Sequence, residues 1–365
     1  MDNPIREKKK SGTLNPVIDP LNERPWPIHL KPREDELLSS WLVRLAIAHG
    51  LKLHSFCRLV WGSNKQIWNR DIDRFVDDQI LQTLSLRTAT PIERVKKTML
   101  SEYEGKLFEN HNPFGNTPFI MPLGVYHRIR LNKGLQFCSE CLRESAHYKR
   151  QWRLSFCVLC LKHNVFLRDC CPKCRSPINF HRNELGKKSK ITDRPPVFCY
   201  MCEFDLREST SPLCSESILK CLFHFQYKLL EGVETGKVDI LGHGPVWIHL
   251  YAQVIGQLSK LCSVCSSSKR LRLELNCLLP LFEFTEKTYA KGTMLESFNI
   301  QKRINAYYWT SHLLEDWPLK FIKICRNSRT YSSILLKDMT SIPYWYWKIV
   351  RENFYVVYSP RKNFK

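Results

Sequence analysis

From residue 25 onward, the hydrophobic positions of this 365-residue chain recur mostly at intervals of three and four, the spacing of one face of an α-helix. Leu38, Trp41, Leu42, Leu45 and Ala46 mark a first helix. His49-Gly50 ends it, since glycine accepts the left-handed conformation that closes many helices. Leu53, Phe56, Leu59 and Val60 mark a second, shorter helix. Thr90-Pro91-Ile92-Glu93 reads as a helix start, with threonine as cap, proline in the first turn and glutamate to complete a capping box. That helix turns Val95, Met99 and Leu100 inward and Arg94, Lys96 and Lys97 outward. Residues 110–122, rich in Asn, Pro and Gly, read as loop. Farther on, Ser217 can cap a helix to Leu230 that carries Leu219, Leu222 and Phe223. Gly242-His243-Gly244-Pro245 is a turn, and a helix from Trp247 to Leu261 follows it. Aromatic residues crowd the end of the chain, among them Trp309, Trp317, Tyr344, Trp345, Tyr346 and Trp347.

These patterns predict a mainly α, multi-domain protein. Residues 1–24 are a polar, basic arm containing Lys8, Lys9 and Lys10. Residues 25–135 form an N-terminal helix-turn-helix-like domain, 136–207 a central double zinc-finger module, and 208–365 a C-terminal helical domain. No apolar stretch follows the basic start, and no run reaches the roughly 18 apolar residues of a membrane helix, so a cytoplasmic protein without a membrane partner is expected. Thiols stay reduced in that compartment, so the chain's 16 cysteines point to metal wherever they pair as C-x-x-C.

Four two-ligand knuckles lie between residues 138 and 202: Cys138-x-x-Cys141, Cys160-x-x-His163, Cys171-x-x-Cys174 and Cys199-x-x-Cys202. A two-residue gap lets both side chains of a tight turn reach one tetrahedral ion, so four knuckles make two zinc sites. With four protein ligands each, the sites are closed to water and substrate, and their role is structural. Spacing alone permits sequential or interleaved pairing. It also permits Cys157-x-x-Cys160 in place of Cys160-x-x-His163; the latter is preferred because it precedes the apolar run Val165-Phe166-Leu167 and leaves Cys157 buried beside Phe156. Cys170 has no partner three residues on. Cys262-x-x-Cys265 lacks a second knuckle nearby, and Cys57, Cys214, Cys221, Cys277 and Cys325 read as small buried hydrophobes.

Lysine and arginine number 56 against 35 acids, a net charge of +21, which draws polyanions and above all nucleic acid. The helix pair over Leu37–Val60 has the outline of a helix-turn-helix, whose second helix enters the major groove. It would present Lys52, His54, Ser55 and Arg58 to duplex DNA. Basic clusters near the knuckles add Lys149, Arg150 and Arg153 beside His147, Tyr148 and Trp152, then Arg182, Lys187, Lys188 and Lys190. A further cluster holds Lys269, Arg270 and Arg272. Paired carboxylates for strand cleavage are sought at Asp71, Asp73, Asp77 and Asp78, but an exposed acidic turn is the expected role of Asp71 and Asp73.

Together these residues resemble the TniQ/TnsD family of bacterial transposon target-selection proteins. The likeness runs through Asp35-Glu36-Leu37-Leu38-Ser39-Ser40-Trp41-Leu42, Arg44-Leu45-Ala46, Gly50-Leu51 and Phe56. It continues in Asn69-Arg70-Asp71-Ile72-Asp73 and Pro122-Leu123-Gly124-Val125-Tyr126-His127. Its most specific parts are Gln136-Phe137-Cys138-x-x-Cys141-Leu142, Trp152-Arg153-Leu154, Cys160-x-x-His163 and Cys171-Pro172-x-Cys174. The resemblance implies the Cys160/His163 register and sequential pairing, with Cys157 an addition to the family pattern. It further implies a non-catalytic adaptor that selects the insertion site by reading duplex DNA or by docking on a CRISPR Cascade complex with its guide RNA. Such an adaptor recruits an AAA+ transposition ATPase, acts in the bacterial cytoplasm at the nucleoid, and in one branch of the family is a homodimer. A zinc-containing transcriptional regulator is the alternative from another class.

Overall fold

The computed structural model describes residues 25–65, 67–182, 194–210, 216–279 and 294–355. Helices dominate them. The N-terminal part holds α1 (Leu38–Ala48), α2 (Leu53–Trp61), α3 (Asp78–Thr88) and α4 (Ile92–Lys96), then the hairpin of β1 (Val125–Tyr126) and β2 (Ile129–Arg130). The cysteine-rich part holds α5 (Ser139–Glu144) and the hairpin of β3 (Leu159–Cys160) and β4 (Val165–Phe166). Then follow α6 (Glu216–Thr235), the hairpin of β5 (Lys237–Ile240) and β6 (Gly244–Trp247), α7 (Ile248–Ser263) and α8 (Lys269–Leu278). The chain continues through α9 (Ile300–Leu314), α10 (Leu319–Asn327), α11 (Ser332–Leu335) and α12 (Tyr344–Phe354). Each hairpin is an antiparallel two-stranded sheet.

The first two helices lie where the apolar spacing puts them. His49 caps α1, and Gly50 takes φ 65°, the left-handed geometry expected of it. Trp26 is fully buried and meets Phe56 of α2 edge-on at 5.3 Å, fastening the incoming chain to the helix pair. Thr90 does not cap α4. Its hydroxyl meets that of Thr88 at 2.7 Å, the cap position falls to Pro91, and the helix is five residues long. Val95, Met99 and Leu100 are nevertheless buried, because a short 3-10 turn over Leu100–Tyr103 carries the inward face onward.

Later elements depart further from their expected bounds. α6 starts at Glu216 and includes Ser217. Trp247 both closes β6 and stands, exposed, as the N-cap of α7, which runs on to Ser263. The Gly242–Pro245 turn belongs to the β5–β6 hairpin, with Gly242 at φ 75° and Gly244 at φ 87°. Gly232 lets this hairpin seat on α6, since a Cβ there would come within 2.5 Å of the Val238 side chain.

One continuous hydrophobic core runs from Trp26 to Phe354, through all three sequence-defined regions. Polar side chains stitch the regions together inside it. Gln226 of α6 accepts from the backbone N–H groups of Val158 and Leu159 and donates to the Leu159 carbonyl. Arg303 of α9 donates to the Ser155 carbonyl and to Gln136, and Tyr307 pairs with Ser155 at 2.6 Å.

Candidate functional site

Backbone turns bring the eight knuckle residues into two clusters of four, and within each cluster the ligand atoms lie within 4.8 Å of one another. The first joins Cys138, Cys141, Cys160 and His163; the second joins Cys171, Cys174, Cys199 and Cys202. The grouping is sequential, and Cys157 stands apart from both clusters, fully buried.

Cys138 precedes α5 and Cys141 lies in its first turn, while Cys160 sits on β3 and His163 in the turn to β4. The His163 Nδ1 lies 3.5 Å from Cys138 Sγ, 3.4 Å from Cys141 Sγ and 3.4 Å from Cys160 Sγ. A tetrahedral zinc with ordinary bond lengths would set sulfur about 3.6 Å from nitrogen and about 3.8 Å from sulfur. The Cys141–Cys160 separation is 3.5 Å, and in the second cluster Cys171–Cys202 and Cys174–Cys199 are 3.6 and 3.5 Å. These donors fit a four-coordinate zinc with little adjustment, and with four protein donors neither cluster leaves an open position for substrate. Hydrogen bonds with Cys138 and Cys141 hold the Cys160 thiol well below its usual range, and contacts with Cys138 and Cys160 push Cys141 well above its own.

Three of the knuckles share one backbone device. The residue after the second ligand is left-handed: Asn164 at φ 51°, Arg175 at φ 63° and Glu203 at φ 58°. In the second cluster the amides of Arg175 and Glu203 return to the carbonyls of Cys171 and Cys199, both at 2.9 Å. Sequence reasoning missed Glu144, whose carboxylate accepts from the outer His163 nitrogen, Nε2, at 3.1 Å and also pairs with Lys162. A carboxylate behind a ligating imidazole fixes its tautomer and strengthens it as a donor. The only hint in the sequence is that Glu144 lies one helical turn beyond Cys141.

The structure places the residues expected to meet DNA in different degrees of burial. Arg153 is fully buried: its guanidinium binds Asp71 at 3.1 and 2.6 Å and approaches Asp73 at 3.5 Å. It is a core residue rather than a phosphate contact, and half-buried Asp71 and buried Asp73 are its partners rather than an exposed acidic turn. Burial alone would raise the Asp71 carboxyl, but Arg153 overrides it and holds the pKa below the usual range. Burial, and then Asp71, push Asp73 upward. Asp77 caps α3 and pairs with Lys65.

Arg150 is half-buried, bonded to Asp35 at 3.1 Å and stacked over Tyr103. It borders a cleft of about 950 Å3 whose wall mixes Arg33, Arg94 and Lys97 with Glu34, Glu93 and Glu234. Lys149 is half-buried opposite Glu36, while His147 and Tyr148 are buried. Lys52, His54 and Ser55 are half-buried on α2 or at its cap, and Arg58 is exposed. Lys187, Lys188 and Lys190 lie outside the described residues, as does Cys214. Lys269 and Arg270 are exposed, but Arg272 is buried against the Cys265 carbonyl. Cys57 and Cys325 are buried as expected, Cys221 is half-buried, and Cys277 is exposed. Cys262 and Cys265 are buried and join no metal-ligand cluster among the described residues.

The profile of the TniQ family matches residues 27–167, from the chain entering beside Trp26 to the strand that closes the first metal cluster. No curated protein matches the chain.

Proposed function

Residues 27–167 of this chain match the TniQ family, and from that premise we propose that the chain is a non-catalytic adaptor that selects the insertion site of a bacterial transposon. The TniQ domain implies a target-selection role associated with transposition. The finer reading is that the adaptor contacts duplex DNA, or docks on a CRISPR Cascade complex with its guide RNA, and recruits an AAA+ transposition ATPase. The family match over residues 27–167 carries this reading. The net charge of +21 favours direct contact with DNA over docking through protein alone. In this reading zinc fills both four-donor clusters and holds the central region in shape without taking part in chemistry.

The test is retention of purified AAA+ transposition ATPase on the immobilised full chain, with duplex DNA present and absent. Retention that strengthens on duplex supports the adaptor. Duplex binding without ATPase retention would instead make the chain a zinc-containing DNA-binding regulator. Strand cleavage by the purified protein with a divalent metal would overturn the non-catalytic reading.

A further inference from the structure

A cavity of about 290 Å3 opens beside α2, its wall including His54, Ser55, Arg58, Lys65, Trp68 and Arg128. It is smaller than the roughly 300–1,000 Å3 of sites that take drug-sized ligands, and its scale suits a single anionic group with its water. Positive charge converges on it. Arg58 stands exposed and forms no ion pair among the described residues. Arg128 is presented by the β1–β2 turn, which is well fixed. His181 donates to the Arg128 carbonyl at 2.9 Å, Asn69 accepts from its side chain at 3.1 Å, and Asn179 brackets the backbone of Arg130. His181 in turn stacks on Trp68 at 4.9 Å, so the wall opposite α2 is rigid.

Among the described residues the lining carries no carboxylate, and Asp77 is bound by Lys65 at 2.5 Å. Burial, then Arg128 and Arg182, lower the His54 pKa to about 4. Its Nε2 is buried and has no hydrogen-bond partner. Converging cations and an unpartnered imidazole nitrogen are a liability unless an oxyanion enters to offset them.

We propose that this cavity seats one backbone phosphate of duplex DNA, with Arg58 and Arg128 as its direct ligands. The inference rests on the DNA-contacting reading above and refines it. Both guanidinium groups stand on exposed residues, where the phosphate of a polymer can reach them, whereas a site for a free anion closes around its ligand. The role of α2 is then to fix the position of the duplex, and its bases are read elsewhere, because phosphate contacts set register without carrying sequence information.

The experiment measures binding of the full, zinc-loaded chain to two long duplexes of unrelated sequence over a series of salt concentrations. Arg58→Gln is the principal variant, Arg128→Gln the second, Arg58→Lys the rescue and Lys97→Gln the control. Arg58→Gln is expected to weaken both duplexes by the same factor and to lower the log–log salt slope by about 1, with Arg58→Lys recovering the slope. Zinc content and melting temperature equal to wild type show that the variants are folded. Affinity and slope unchanged in both Gln variants, with wild type binding normally, would sink the phosphate site and leave the DNA reading standing. A loss confined to one duplex would make Arg58 a base reader and overturn the proposal. Inorganic phosphate that raises the melting temperature of wild type but not of Arg58→Gln, with duplex binding equal in both, would reassign the cavity to a free anion. Absence of duplex binding by wild type would remove both readings.

Discussion

Several residues that make the sequence recognisable are one another's partners inside the protein. Glu36 is buried and binds Arg44 through both oxygens, at 2.8 and 2.7 Å, while Ser40 donates to it at 2.8 Å. Asp73 accepts from the amide and hydroxyl of Ser39, at 2.7 and 2.9 Å, and shares Arg153 with Asp71. Gln136 donates to the Cys157 carbonyl at 2.9 Å and accepts from Arg303. Buried charges of this kind cost little while every member is satisfied and much when one is removed. Arg153→Ala, which strips Asp71 of its ion-pair partner and leaves Asp73 only the Arg130 contact at 3.8 Å, is therefore expected to destabilise the protein by about 3–5 kcal/mol in urea unfolding. A loss under ~1 kcal/mol would return Arg153 to the surface role its neighbours in sequence imply. Glu144→Gln acts through another residue: zinc content should stay at wild type while chelator competition reveals affinity roughly 10–100-fold weaker at the first cluster. Unchanged affinity would show that His163 needs no orienting partner.

Among the elements, the knuckles are the smallest units with a physical logic of their own. Each turn that ends on a left-handed residue places two ligands on one side of the backbone, and only Asn164 of the three is a type that favours that conformation. Arg175 is exposed and sits there at a cost of roughly 1–2 kcal/mol. Arg175→Gly should keep both clusters and raise the melting temperature of the zinc-loaded protein slightly, since the relief of strain exceeds the roughly 0.5–1 kcal/mol entropic cost of glycine. A clear fall in melting temperature would mean that the side chain holds the turn. Cys141→Ser removes a ligand that is buried in its cluster and should lower metal content by one ion per chain, with local unfolding seen as faster proteolysis near α5. Unchanged metal content would contradict the assignment of the first cluster.

Across the whole molecule, the clusters lie within the shared core rather than in an isolated finger. Gln226, Arg303 and Tyr307 bind the backbone or side chains of residue 136, just before the Cys138/Cys141 knuckle, and of residues 155, 158 and 159, just before the Cys160/His163 knuckle. Loss of the first zinc should therefore be felt as far away as α6 and α9. At the same scale, net charge sets how duplex affinity responds to salt: it should fall steeply between low and physiological ionic strength, as release of counterions requires. A flat response would point to protein docking as the main task.

The two four-donor clusters were legible because the chemistry of such donors depends on local spacing: a C-x-x-C or C-x-x-H turn is written within four residues. The first two helices were legible for a similar reason, since the three-and-four periodicity of Leu38 to Ala46 is local, even though the fold buries the first helix on nearly every side. Spacing left the pairing of knuckles open, and the resemblance supplied it before the structure grouped the ligands. The sequence could not say which charges face water. Arg153 and Arg58 look alike in composition, yet the fold carries Asp71 and Asp73 to the first and leaves the second at the rim of a cavity. That separation depends on contacts between residues some eighty positions apart, or between α2 and a hairpin some seventy residues later. Charge count is a property of the chain, whereas burial and partnership arise only when distant segments meet.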